Sequence, residues 1–162
     1  MSKILFLDLD GTVRQTKSRA TFINDPYDQE LIPGVIEAIT QYLDWTIVGV
    51  TNQAGVEAHK KTLDDCIKEQ IYTMQLLPRL QCVNFCTTFD GSEGYRCYPN
   101  GEIINLPSGR NYRKPSPGML MQFIENYHSL PLEDVLMVGD RAEDEQCAKN
   151  AGINFIWATD WR

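Results

Sequence analysis

The stretch Ile4-Leu5-Phe6-Leu7-Asp8-Leu9-Asp10-Gly11-Thr12 decides the fold. Its four consecutive apolar residues are too continuous for a strand with one wet face, and they fit a strand covered on both sides, as in a parallel sheet. Two aspartates then follow, two apart, with a glycine that lets the chain turn immediately afterwards. Runs of the same kind recur at WTIVGV (45–50), CVNFCT (82–87), DVLMVGD (134–140) and INFIWA (153–158).

Helical patterns fill the gaps. PGVIEAITQYL opens with Pro33, and Leu63, Ile67, Ile71, Met74 and Leu77 keep a three-to-four spacing through a second segment. SPGMLMQFIENYH and AEDEQCAKNAG give two more, the last closing on Gly152. Alternating strands and helices predict an α/β, Rossmann-like doubly wound parallel sheet with right-handed crossovers. Residues 14–32 and 88–113 break the alternation and read as long loop inserts, neither large enough for a separately folded cap domain. No linker or repeat divides the chain, so residues 1–162 read as a single domain.

Composition narrows the function. The chain carries 15 Lys+Arg against 22 Asp+Glu, a net charge of −7, which argues against a protein that coats nucleic acid through a strongly basic face. No apolar run approaches the roughly 18 residues that span a bilayer, and MSKILFLDLD places aspartates where a signal peptide would stay apolar. The expectation is a cytoplasmic protein with no membrane partner. Five cysteines at irregular spacing read as reduced thiols. No heptad pattern sets an oligomeric state.

In an open α/β sheet, ligands sit beyond the carboxyl ends of the strands. The polar residues there are Asp8 and Asp10, Thr51 and Asn52, and Asp140, joined by Arg113-Lys114-Pro115 at a helix start. Like charges as close as Asp8 and Asp10 call for a divalent cation.

Taken together and in order, DLDGT (8–12), TNQAGV (51–56), RKPSPGM (113–119) and GDRAED (139–144) resemble the haloacid dehalogenase (HAD) superfamily of phosphohydrolases. TNQ with KPxPGM resembles the subclass that includes histidinol and heptose-bisphosphate phosphatases and polynucleotide 3′-phosphatases. The resemblance implies that Asp8 is the nucleophile of an aspartyl-phosphate mechanism and that Asp10 is its general acid and base. It implies that Thr51 and Asn52 hold phosphoryl oxygens and that Lys114 neutralises charge on the nucleophile and transferring group; Arg113, beside that lysine, is a further substrate-binding candidate by its charge. Asp8, the carbonyl of Asp10 and Asp140 would hold Mg²⁺, with Asp144 orienting the site from one helical turn away. An acidic residue in a helix's first turn is also favourable without any function. The arrangement is electrically plausible: Mg²⁺ and Lys114 bring three positive charges against two carboxylates and the phosphate dianion.

Heptose-bisphosphate phosphatases carry a zinc loop before the motif-three lysine. Here Cys82, Cys86 and Cys97 lack its histidine and paired spacing, a poor tetrahedral set. His59 and His128 match no motif and read as surface residues.

The substrate signals divide. DLDGT and YRKP lean toward a nucleic-acid 3′-phosphate end, whereas PSPGM looks more like the small-metabolite enzymes. Arg14, Lys17, Arg19, Arg96, Arg110 and Arg113 in the inserts could grip a second phosphate or a nucleic-acid backbone, and Tyr95, Tyr98 and Tyr112 could stack on bases. Acidic residues interspersed with them fit plain solvated loops equally well. A phosphatase-like fold used as a phosphate-binding module is the non-enzymatic alternative.

Overall fold

The computed structural model describes residues 3–127 and 129–162, so the expectation for His128 lies outside the described residues. Five strands form the parallel frame: β1 (Lys3–Leu7), β4 (Trp45–Asn52), β5 (Cys82–Cys86), β8 (Val135–Gly139) and β9 (Asn154–Trp157). Two more, β6 (Gly94–Cys97) and β7 (Ile103–Asn105), continue the sheet in antiparallel pairing, giving the order β7-β6-β5-β4-β1-β8-β9. The chain winds outward from β1 to one side through β4 and β5, then crosses back to β8 and β9. The crevice where the winding reverses therefore opens beside Asp8.

β1 shows why both faces must be apolar. Ile4 and Phe6 point into one core layer, with Val48, Met137, Met119 and Phe123, while Leu5 and Leu7 enter the other, with Ile47, Val83, Leu77 and Val138. These four side chains are fully covered, each contributing about 1.5–3 kcal/mol of burial, while Lys3 at the start of β1 is exposed. Helices α3 (Gly118–Ile124) and α4 (Ala142–Ala151) cover the first layer. The second lies under α1 (Val35–Ile39), α2 (Leu63–Leu76) and the short α5 (Ala158–Trp161). Thr62 caps α2 by accepting the Asp65 N–H at 3.0 Å, and α4 stops at Gly152, whose φ of +75° is costly for any side chain.

Three expectations change. The insert at 88–113 is not a loop throughout, because its residues supply the β6–β7 hairpin; strands of four and three residues are too short to show a period. The insert at 14–32 begins and ends on a two-stranded ladder, β2 (Arg14–Gln15) with β3 (Glu30–Leu31). On α2 the buried face is Cys66, Glu69, Gln70, Thr73 and Met74, while Ile67 and Ile71 are only half-buried. A helix that buries Glu and Gln in place of Ile must be answering a buried polar partner, and that partner is Arg14.

All five cysteines are free and buried. Burial pushes the Cys66, Cys97 and Cys147 thiols up to about 12 and the Cys82 thiol up to about 11. Dithionitrobenzoate should therefore label no thiol of the folded protein within minutes and all five after unfolding. Rapid labelling of the native protein would contradict this core.

Candidate active site

The chain after β1 turns on a single acceptor, the Leu9 carbonyl, which takes the N–H groups of Thr12, Val13 and Arg14 at 2.9–3.1 Å. Gly11 makes the turn possible: its φ is +85°, and a Cβ there would lie 2.2 Å from Asp140 Oδ2. The Asp8 N–H donates to the Val138 carbonyl at 3.0 Å, which ties the end of β1 to the end of β8. Asp8 and Asp140 are thus neighbours by sheet register, 132 positions apart in the chain.

Lys114 sits at the centre, buried, with every donor used. Its ammonium donates to Asp8 Oδ1 at 2.6 Å, to Asp144 Oδ1 at 2.7 Å and to the Val50 carbonyl at 3.1 Å. Thr12 donates to the other Asp8 oxygen at 2.9 Å. Asp144 spends its second oxygen on the N–H groups of Asp140 and Arg141 at 3.2 and 3.1 Å, folding the β8–α4 turn onto the site. Gly139 is required there, since a Cβ would lie 2.4 Å from the Asp144 side chain.

The electrostatics are unbalanced toward negative charge. Burial, with the Asp144 and Asp140 carboxylates nearby, pushes the Asp8 carboxyl up to about 8 in spite of Lys114. Burial alone would lower Lys114, but Asp8 and Asp144 hold its ammonium well above the ordinary lysine range. The Arg14 guanidinium holds the Asp10 carboxyl below the usual range, helped by Lys61.

Carboxylate oxygens of Asp8, Asp140 and Asp144 lie within 4.8 Å of one another. Asp144 is already committed to Lys114 and to two backbone amides, whereas Asp140 is exposed. A hard, all-oxygen donor set of Asp8 and Asp140 at the crevice, short of positive charge, fits a magnesium-sized cation.

The remaining sequence candidates divide. Asn52 forms a reciprocal pair with the Lys114 backbone, donating to its carbonyl at 3.1 Å and accepting its N–H at 3.0 Å. Its side chain therefore anchors the lysine loop to β4, and one side-chain N–H remains for an oxyanion. Thr51 is buried and its hydroxyl accepts from Gln53 Nε2 at 3.0 Å. Arg113 does not reach Asp8. It lies over the Phe89 ring at 5.6 Å, at the mouth of a cleft of about 760 Å³. Phe22 and Ile23 of the 14–32 insert line the same cleft, so that insert forms one wall and Phe89 another.

Several insert residues turn out to be structural. Arg14 is fully covered and Arg96 nearly so, the latter bonded to Asn84 and Gln122, so neither is free to grip a phosphate. Tyr112 is buried with its hydroxyl donating to the Pro107 carbonyl, and Tyr95 stacks on Phe85. Sequence reasoning missed Thr12, Gln53, Lys61 and Glu69, which bond directly to Asp8, Asp10 or Arg14, or to one another. The available signal was the polar run Glu69-Gln70 with Thr73 on an otherwise amphipathic helix.

Among the described residues no helix is long and apolar enough to cross a membrane. A family model described as polynucleotide kinase 3 phosphatase matches residues 3–158. The chain is 31% identical to a D-glycero-D-manno-heptose-1,7-bisphosphate 7-phosphatase of Thermosynechococcus vestitus, over 94% of this chain and 76% of that protein. A D-glycero-beta-D-manno-heptose-1,7-bisphosphate 7-phosphatase of Vibrio cholerae is 29% identical over 92% and 76%. A crystal structure of D,D-heptose 1,7-bisphosphate phosphatase from B. bronchiseptica, complexed with magnesium and phosphate, superposes with a TM-score of 0.65 at 28% identity, covering 94% of this chain and 78% of that one. With that match running from β1 to α5, the chain belongs to the polynucleotide kinase 3 phosphatase family and is a phosphatase of the HAD superfamily.

Proposed function

We propose that this phosphatase hydrolyses a small phosphorylated metabolite of the heptose-bisphosphate type, with Mg²⁺, through an aspartyl-phosphate on Asp8. The observation that carries the chemistry is the Asp8 carboxylate itself, aimed by Lys114 and Thr12 at the floor of an open cleft, with Asp140 beside it. An Asp8 oxygen attacks phosphorus, the bond to the leaving alkoxide breaks, and that alkoxide takes a proton from Asp10. Water then attacks phosphorus, gives its proton to Asp10 and frees Asp8. Because Arg14 favours the ionised form of Asp10, the proton for the first step enters with the substrate, whose phosphate charge raises that carboxyl. Asp8, Asp140 and the Asp10 carbonyl would hold Mg²⁺, which when bound supplies positive charge against the phosphate.

The names of the relatives favour the small-metabolite substrate over the nucleic-acid 3′-end that the sequence alone placed first. The burial of Arg14, Arg96 and Tyr112 removes part of the support for that first choice. A 3′-phosphate end stays as the second reading, favoured by the family's description and by exposed Phe22 and Phe89 at the cleft.

Phosphate release should be measured from D-glycero-D-manno-heptose 1,7-bisphosphate, histidinol phosphate and a 3′-phosphorylated oligonucleotide. A preference of about 100-fold or more in kcat/KM for the bisphosphate is expected, and the same preference for the oligonucleotide would reverse the two readings. Magnesium at about 100 times its Kd should raise Tm by about 5–10 °C, from roughly 2.7 kcal/mol of linkage. Asp140→Ala should remove that shift without lowering the Tm of the metal-free protein, and a shift that survives would move the cation elsewhere.

A further inference from the structure

Behind Asp10 lies a closed ring of hydrogen bonds. Arg14 donates from Nε to Asp10 Oδ1 at 2.8 Å and from Nη2 to Glu69 Oε2 at 2.7 Å. Lys61 donates to the other Glu69 oxygen at 2.6 Å and to Gln53 Oε1 at 3.1 Å. Gln53 Nε2 closes the circuit on Asp10 Oδ2 at 3.3 Å. The Arg14 side chain is 0% exposed and that of Glu69 2%, whereas the Asp10 side chain is 48% exposed and faces the cleft.

A guanidinium with no access to water must spend its donors on fixed acceptors, and its planar fork leaves little freedom in where they lie. Here Nη1 is held by Gln70 Oε1 at 2.8 Å and Thr73 Oγ1 at 2.7 Å, so the plane of Arg14 is set by α2 and Asp10 follows it. Lys61 does the corresponding work on the other side, fixing the Gln53 amide with its N–H groups toward Asp10 and Thr51. Both donors that hold Asp10 are therefore tied to one carboxylate, Arg14 directly, beside its bonds to Gln70 and Thr73, and Gln53 through Lys61. We infer that Glu69 is a positioning residue for the acid–base step: through Arg14 and through Lys61 with Gln53, it aims the Asp10 carboxylate at the leaving-group oxygen. Glu69 bonds to neither Asp8 nor Lys114, and it acts only through other residues. The inference rests on the phosphatase mechanism proposed above.

The two half-reactions provide the test. An alkyl phosphate needs a proton on its leaving group, whereas p-nitrophenyl phosphate expels a phenolate that needs none. In the full-length protein, Glu69→Gln should lower kcat for glycerol 2-phosphate by about 100-fold with KM changed less than about threefold. With p-nitrophenyl phosphate, the first equivalent of nitrophenolate should appear at within about threefold of the wild-type rate, followed by slow turnover because Asp10 also activates water. Equal losses in both assays, or none in either, would overturn the positioning role. Should Glu69→Gln fail to fold, Lys61→Met cuts the ring at a less central point and should give the same selectivity with about a 10-fold loss; an unselective loss there has the same overturning force. If wild type itself releases no phosphate from either ester, the underlying mechanism fails instead.

Discussion

On the proposed aspartyl-phosphate mechanism, Asp8→Asn is expected to reduce phosphate release by about 10⁴-fold or more, because the amide would remove the attacking oxygen. Asp144, whose carboxylate lies within 4.8 Å of that of Asp8, is committed to Lys114 and two backbone amides, and Arg14 and Gln53 hold the two oxygens of Asp10. The fold should survive, since the Asn oxygen can still accept from Lys114 and the amide can meet the Thr12 hydroxyl. Losing a carboxylate that burial and its acidic neighbours disfavour should leave the metal-free variant at least as stable as wild type. Residual turnover within tenfold of wild type would place the nucleophile elsewhere.

Lys114→Met should damage stability and activity together. Removing the ammonium leaves Asp8 and Asp144, with side chains 8% and 1% exposed, without their shared cation. Breaking a buried pair in this way typically costs about 3–5 kcal/mol, which for a chain of this size lowers Tm by roughly 6–20 °C. Turnover should fall by about 10³-fold, the scale of losing one preorganised electrostatic contact to a transferring group. The pH dependence has a definite sign. The folded-state value of Lys114 lies above its unfolded 10.5, so its contribution is fully present below that value and lost only as pH rises through the higher folded one. The Lys114 contribution itself is therefore constant from pH 6 to 9. Because Asp8, with a carboxyl near 8 that Lys114 holds down, ionises within that range without a partner in the variant, the stability difference between wild type and variant should widen toward pH 9; a difference that vanishes within that range would contradict the pairing. Saturating Mg²⁺ should restore part of the Tm and little of the rate.

These two expectations concern residues that stand out in the sequence, Asp8 because it directly follows an apolar run and Lys114 because its motif reads as a helix start, although the helix itself begins four residues later at Gly118. Glu69 and Arg14 show the limit of that method. Arg14 sits among Lys17 and Arg19 in a segment whose composition reads as a solvated basic loop, and only the β2–β3 ladder with α2 above it takes Arg14 out of water. Glu69 occupies a helix position that the spacing of Leu63, Ile67, Ile71, Met74 and Leu77 assigns to the polar side. Its burial follows from the need to compensate a cation 55 positions away. Asn52 illustrates a different limit: its residue type suits phosphate binding, but its side-chain bonds depend on where the Lys114 loop lies.

The sequence by itself determined the five parallel strands, the helices between them and the edge of the sheet where Asp8, Asp10, Thr51, Asn52 and Asp140 emerge. Burial on both faces forces continuous apolar runs, and such runs are local patterns. Only the tertiary structure decided which polar residues meet: that Lys114 spans Asp8 and Asp144, that Arg14 turns inward to Glu69, and that Phe22 and Phe89 wall the cleft. Those contacts join residues tens of positions apart, and their partners are set by sheet register and by the cost of leaving a buried charge unpaired, neither of which leaves a periodic trace along the chain.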